Sequence, residues 1–329
     1  MKEFNPKTLQ EAIQHFTDEQ VCVDTLARVR WLDGKPVCPA CGHGEYYYLA
    51  KQRRFKCKEC WKQYTVKMGT LLEDSPISLT KWLPALWMLV NDKNGISSYE
   101  LSKALGITQK SAWFVLHRLR TALQNGGFAK RTKLGGTDSG PVEVEECFVG
   151  GKAKNMHRDR AKRYGQTGTN KGKTVVMGLL DRELRQVRAK VVPDVKRETL
   201  QAEVMREVKH GSRVFTDEHV GYDLLHNRFV HEFVKHTEQY VNGQVHTNGI
   251  ENFWSLLKRT LNGTYVAVEP YHLSKYIDEQ VFRFNNRGGK KKEDRITDAQ
   301  RFELALSQVA GKRLTYAELT GKEGGTEPF

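Results

Sequence analysis

The sequence predicts a multidomain α+β protein in three parts: a small cysteine-held ribbon, a helical segment, and an α/β domain whose mixed sheet is flanked by helices. Three observations carry this reading. Two Cys-x2-Cys hooks, Cys38/Cys41 and Cys57/Cys60, lie near the start of the chain. Apolar residues at helical spacing, broken by turn signals, fill residues 79–123. From residue 142 onward, short alternating or apolar runs mix with helical ones in the order β-β-β-α-β-(α)-β-α.

At 329 residues the chain exceeds the usual size of one domain. The expected division is an N-terminal helical segment over 1–35, a ribbon over 36–70, a helix-turn-helix segment over 71–128, a linker over 129–141, an α/β domain over 142–310 and a tail over 311–329. Net charge is +14 and the pI about 9.4, which points to a polyanionic partner, nucleic acid first. The longest apolar run, Trp82 to Val90, is far short of the roughly 18 residues a membrane span requires. Met1 to Gln20 holds no signal-peptide core, so a cytoplasmic location is expected. In a reducing compartment paired cysteines read as metal ligands rather than disulfides.

The ribbon comes first. Residues 42–56 between the hooks have the length typical of tetrathiolate zinc sites. Each hook supplies two soft ligands, and four thiolates complete a tetrahedron with no open position, so the zinc is structural. Tyr46–Leu49 and Arg53–Lys56 read as short strands. Arg53 and Arg54, with Lys56, Lys58 and Lys62, favour nucleic acid as the ribbon's partner. Cys22 and Cys147 have no hook partner and read as small core residues.

In the helical segment, Leu79–Val90 reads as one helix beginning near Ser78 or Thr80, and Ser98–Leu105 as a second. Gly106-Ile107-Thr108 is a turn with Thr108 as N-cap. Gln109–Leu123 is a third helix, with Ala112, Val115, Leu116 and Leu119 inward. Helix, glycine-containing turn and helix make a helix-turn-helix, which places Gln109 and Lys110 where side chains reach base edges. An ordinary helical hairpin gives the same pattern.

In the α/β domain, strands are expected over Val142–Gly150, Thr174–Leu180, Gln186–Val192, Arg213–Asp217 and His231–Lys235. Helices are expected over Glu198–Val208, over Glu218–His226 and from Glu251. The order is that of an RNase H-like domain, which places acids on the first strand, after the fourth strand and on the late helix. Glu145 or Glu143, then Asp217, then Glu251 stand there. Three carboxylates from distant chain positions suit two Mg²⁺ (or Mn²⁺) ions, which clamp the attacking and leaving oxygens of a phosphodiester. Asp217 alone also reads as a helix N-cap. Lys258 lies two helical turns after Glu251, on the same face, and Arg259 follows it. Asn248-Gly249 reads as the turn before that helix, with His246 just upstream. Lys152, Lys154, Arg158 and Arg163 belong to a basic stretch between the first two strands that reads as a phosphate track. Lys290-Lys291-Lys292 is a second basic run.

These motifs together resemble the DDE transposases of bacterial insertion sequences, in the zinc-ribbon group related to Merlin transposons. The resemblance runs from about residue 15 to 309. It rests on Trp31-Leu32-Asp33-Gly34 leading to Cys38-Pro39-Ala40-Cys41-Gly42, on Ala112-Trp113-Phe114 with Arg118, and on Phe148-Val149-Gly150-Gly151-Lys152. It continues through Thr216-Asp217-Glu218, Thr247-Asn248-Gly249-Ile250-Glu251 with Phe253-Trp254 and Lys258-Arg259, and Phe284-Asn285-Asn286-Arg287. It implies a protein that binds the terminal inverted repeats of its element through ribbon and helix-turn-helix, cuts the 3′ ends, and joins them to target DNA as a dimer or larger assembly at the nucleoid. It also implies Glu145, Asp217 and Glu251 as metal ligands, Lys258 near a phosphate, and His246 and Asn248 beside the site or against DNA. One position departs from the pattern. The family has Asp-Glu before the aromatic residue and Gly-Gly, where this chain has Glu145-Glu146. The extra methylene displaces a carboxylate by about 1 Å, and such a shift can cost on the order of a hundredfold in rate. A DNA-binding protein with an inert catalytic domain is therefore the alternative.

Overall fold

A computed structural model of the chain describes residues 5–31, 34–124, 132–137, 139–150, 172–218, 220–223, 225–234, 245–288 and 295–321. The chain forms two compact units, one of residues 1–127 with 286–327, the other centred on 128–285.

The first unit begins with α1 (Leu9–His15) and α2 (Glu19–Arg30), capped by the side chains of Thr8 and Asp18. A three-stranded antiparallel ribbon follows: β1 (Tyr46–Leu49), β2 (Arg54–Cys57) and β3 (Gln63–Tyr64). Its inner face is aromatic, with Phe55 touching Trp31, Tyr46, Tyr48 and Tyr64. Helix α3 (Leu79–Asn91) is buried over nearly its whole length. Ser78 occupies its N-cap position but makes no capping bond. The Glu19 carboxylate from α2 instead accepts from the backbone N–H of Leu79 and Thr80.

Helices α4 (Ser98–Leu105) and α5 (Gln109–Ala122) pack together across the Gly106 turn. Gly106 takes φ +59, where glycine is free of strain, and Thr108 caps α5 by accepting from Ser111 N–H. Helix α5 is buried on most sides from Val115 onward, so only its first turn is accessible.

The second unit holds a five-stranded mixed sheet. Its strands are β4 (Val142–Val149), β5 (Thr174–Asp181), β6 (Gln186–Val192), β7 (Arg213–Asp217) and β8 (Val230–Val234), in the order β6-β5-β4-β7-β8. β4, β5 and β6 pair antiparallel, while β7 runs parallel to β4, and β8 to β7. Helix α6 (Arg197–Glu207) covers one sheet face through Leu200 and Val204, against Val142, Val144 and Val214. Helices α7 (Asn248–Thr260) and α8 (Leu273–Asn285) cover the other through Ile250, Trp254 and Ile277, against Cys147, Val176 and Val187. Along β4, odd-numbered side chains therefore face α7 and even-numbered ones face α6.

Four expectations need correction. The α/β domain does not run to residue 310, and no free tail begins at 311. Helix α9 (Asp298–Ser307) packs on α3 and α2, while Leu314 and Leu319, the latter in α10 (Tyr316–Leu319), are buried in the first unit, where the Arg118 guanidinium donates to the Leu314 carbonyl. The stretch expected as a linker is partly built into the second unit: Leu134 is fully buried, and Gly135 N–H donates to Asp181. Where a helix over Glu218–His226 is expected, the described residues form two short 3-10 turns, Val220–Tyr222 and Leu225–Asn227. Finally, α7 begins at Asn248, so Asn248 and Gly249 lie within its first turn and not before it.

Candidate metal centre and its zinc ribbon

Residues facing α7 from the sheet define the centre. The register of β4 with β7, Val142 beside Val214 and Glu143 beside Phe215, carries forward to set Glu145 next to Asp217 at the end of β7. On the other side Glu145 is the cross-strand partner of Gly178. A Cβ at Gly178 would lie 2.5 Å from the Trp254 ring, so the absence of a side chain there lets the indole lie against the sheet beside Glu145. Helix α7 brings Glu251 and Lys258 over the same face, and Thr247 Oγ donates to Glu251 at 3.1 Å.

The electrostatics report how close these groups are. Glu145 is pushed up to about 8, first by burial, then by the charges of Glu251 and Asp217, with Lys258 and the Trp254 indole pulling the other way. One buried oxygen of Glu145, Oε2, has no hydrogen-bond partner. Glu146, on the opposite face, is also pushed up to about 8, by burial and by Asp217 and Glu145; its carboxylate accepts from the Tyr222 hydroxyl. Lys258 also lies close enough to Cys147 to favour its thiolate, although burial dominates and raises that thiol.

A buried, partnerless carboxylate oxygen flanked by two further acids is the donor set a divalent cation neutralises. The three carboxylates are not clenched on one point: among the described residues, only the four cysteines bring ligand atoms all within 4.8 Å of one another.

Glu143 takes a different part. Almost fully buried, it accepts from Ile250 N–H at 2.8 Å and from Arg182 Nε at 2.5 Å. The Arg182 guanidinium in turn contacts His246, at its carbonyl and at Nδ1 (2.7 Å for Nδ1), and lies over Phe215. His246 is thus tied to this brace. Asn248 and Arg259 are exposed. The sequence reading left Arg182, Trp254, Tyr222 and Gly178 out of the site; only Gly178, a glycine inside a strand, carried a signal of close approach.

In the first unit, Cys38, Cys41, Cys57 and Cys60 converge, with Cys38–Cys60 and Cys41–Cys57 sulfurs 3.6 Å apart and no disulfide. Four thiols in that arrangement fit tetrahedral structural zinc. Arg53 and Arg54 are exposed on the ribbon. Gln109 does not reach outward freely, since its amide donates to Ser98 of α4 at 2.8 Å, whereas Lys110 is exposed and lies over the Tyr316 ring. Lys152, Lys154, Arg158, Arg163 and Lys290 to Lys292 lie outside the described residues.

Residues 137–285 match the ISXO2-like transposase domain, and residues 17–63 the transposase zinc-ribbon domain. The chain thus carries an ISXO2-like transposase domain and, ahead of it, a transposase zinc ribbon. A protein of the transposable element ISH50 from Halobacterium salinarum is 28% identical over 293 residues, covering 82% of this chain and 94% of that protein. The simian T-cell lymphotropic virus intasome, solved in complex with the PP2A regulatory subunit B56 gamma, covers 67% of this chain and 74% of its own at 10% identity. Its TM-score of 0.31 is too low to argue from. No helix among the described residues is long and apolar enough to cross a membrane.

Proposed function

We propose that this chain is a DNA transposase that binds the terminal inverted repeats of an insertion sequence, cleaves the 3′ ends, and joins them to target DNA. The observation that carries the reading is the partnerless Glu145 oxygen held between Asp217 and Glu251 on the family's catalytic domain. Glu145, Asp217 and Glu251 would hold divalent cations, Mg²⁺ or Mn²⁺, which when bound would supply charge stabilisation to a displacement at phosphorus. Thr247 orients Glu251 through its hydroxyl. Lys258 offers an ammonium to a non-bridging phosphate oxygen. The Trp254 indole walls one side of Glu145 against water. Water attacks phosphorus at the element end, breaking the P–O3′ bond to leave a free 3′-hydroxyl on the element and a 5′-phosphate on the flanking strand. That 3′-hydroxyl then attacks a target phosphodiester, forming the new P–O bond and displacing the target's own 3′-hydroxyl.

DNA is engaged through Arg53 and Arg54 of the ribbon and through Lys110 at the start of α5. Around the centre, Lys258, Arg259 and Asn248 contact phosphates, and the basic stretch with Lys152, Lys154, Arg158 and Arg163, read from the sequence alone, supplies further phosphate contacts. Gln109 and His246 are partnered within the protein, so they position other groups unless DNA displaces those bonds. The protein works in the cytoplasm at the nucleoid, as a dimer or larger assembly bridging two element ends.

One specific residue favours a second reading. Glu145 stands where the family pattern named in the sequence resemblance has Asp, and a longer carboxylate in a fixed cradle would misplace an ion held there. On that reading the chain holds DNA without cutting it.

The test is cleavage and strand transfer on labelled element-end DNA with Mg²⁺ or Mn²⁺, comparing the native chain, Glu145→Asp and Asp217→Ala. Native activity abolished in Asp217→Ala supports the transposase. A silent native chain that becomes active as Glu145→Asp identifies a site blocked at one residue. Both silent while still binding ends rejects the enzyme and leaves the DNA-holding protein.

A further inference from the structure

The zinc ribbon has a second face that its core does not need. Phe55, Tyr46, Tyr48 and Tyr64 meet on the inner side, while Tyr47 and Trp61 stand outside, 50% and 60% exposed. Register places Tyr47 directly across from Lys56, so the two share the outer face. The Lys56 ammonium lies 4.9 Å from the centre of the Trp61 ring, and the Lys58 ammonium 5.4 Å from that of Tyr47. Lys58, Tyr47, Lys56 and Trp61 thus alternate cation and ring, and Arg54 stands on the same outer side of β2. Of the nearby acids, Glu45 is already paired with Lys58, at 3.3 Å. Trp61 also holds φ +60, a conformation in which a bulky residue is strained and glycine is at ease. A large aromatic kept both exposed and strained indicates a use for the ring itself.

We propose that this face is a stacking platform for unpaired DNA bases. Rings interleaved with cations suit a strand that offers base faces and phosphates in alternation. A duplex hides its base faces except at its ends, so the occupant is a single-stranded stretch, of the kind present at a frayed or nicked end. The inference rests on the reading that the protein handles DNA, and adds to it a ligand class and two residues, Tyr47 and Trp61.

The experiment uses the full, zinc-loaded chain and three probes: oligothymidine of about sixteen nucleotides, a blunt duplex, and the same duplex with a single-stranded 3′ extension. Affinities are measured for the native chain, Trp61→Gly, Trp61→Phe and Tyr47→Ala, with zinc content determined for each. Trp61→Gly removes the ring and also the backbone strain, so it folds at least as well as the native chain. The expected result is oligothymidine and extended-duplex binding about tenfold to a hundredfold weaker in Trp61→Gly and Tyr47→Ala, the size of one or two stacked bases. Blunt-duplex affinity is then kept within about twofold, and Trp61→Phe stays near native. Equal losses on all three probes, or no loss on oligothymidine, overturn the platform. A native chain that binds the blunt duplex but not oligothymidine overturns it while leaving the DNA reading intact. A native chain that binds no probe overturns both.

Discussion

The carboxylate of Glu143, on the central strand β4, accepts the backbone N–H of Ile250 in the first turn of α7 at 2.8 Å. A single buried acid therefore ties the strand that carries Glu145 to the helix that carries Glu251, and Arg182 balances its charge at 2.5 Å. Negative charge at a helix N-terminus is favourable, because the first-turn N–H groups lack intrahelical acceptors. Removing one partner of a buried pair costs about 3–5 kcal/mol, since the other is left uncompensated. Glu143→Ala is accordingly expected to lower unfolding stability by that amount in urea titration. A loss under about 1 kcal/mol would show that Glu143 and Arg182 behave as a surface pair.

Gly249 makes the approach possible. A Cβ there would stand 2.8 Å from Glu143 Oε2 and closer still to Leu180, both held in the core. Alanine at a helical glycine otherwise gains about 1 kcal/mol from propensity. Overpacking costs about 1–3 kcal/mol and displaces the acceptor of Ile250 N–H. The clash wins, so Gly249→Ala is expected to lower the melting temperature; a rise would mean that α7 can slide outward without penalty.

Much of this was legible beforehand, for identifiable reasons. The hooks at Cys38/Cys41 and Cys57/Cys60 announce themselves because thiolate geometry constrains spacing. Strands β4 and β6 were readable from apolar alternation, β5 and β7 from short apolar runs, and Thr108 from capping chemistry. What was not legible involved partners distant in sequence. The start of α3 falls where the sequence puts it, but the Glu19 carboxylate that satisfies it comes from α2, and no local pattern encodes that. Residues 286–321 return to the first unit because α9 finds its apolar partners on α3 and α2, which periodicity cannot specify. Glu143 and Glu145 share a strand face and were left as alternatives for one role; the structure gives one of them a helix terminus and an arginine, and leaves the other with a bare oxygen.

The ribbon supplies a third prediction. Its sheet is short, three strands of four, four and two residues, too small to hold together by burial alone. Binding free energy at such tetrathiolate sites, on the order of 10–16 kcal/mol, is folding free energy. One zinc per chain is expected from metal analysis. Cys57→Ser is expected to lose it and to open residues 36–66 to protease, while fragments covering 142–285 persist. Retention of zinc in Cys57→Ser would rule out the four-cysteine centre.

The carboxylates make the second unit sensitive to pH in a direction opposite to most acids. An acid raised from its ordinary value of 4.5 to about 8, as Glu145 and Glu146 are, binds its proton more tightly folded than unfolded. In that window the folded state holds more protons, so stability falls as pH rises from about 4.5 to 8. The stabilising contribution is complete below the unfolded value and gone above the folded one. A cation must displace the Glu145 proton, so its affinity runs the other way and strengthens up to about pH 8. Thermal melts in EDTA are therefore expected to shift downward between pH 5 and 8, with Mn²⁺ restoring the melt progressively more at the higher pH. Glu145→Gln is expected to remove about half of the pH dependence, the part that Glu146 does not carry, together with most of the Mn²⁺ shift, since it deletes one of two titrating groups and one ligand while keeping the shape. If the Mn²⁺ shift survives that substitution undiminished, the ion sits elsewhere and Glu145 is a buried acid with no metal to bind.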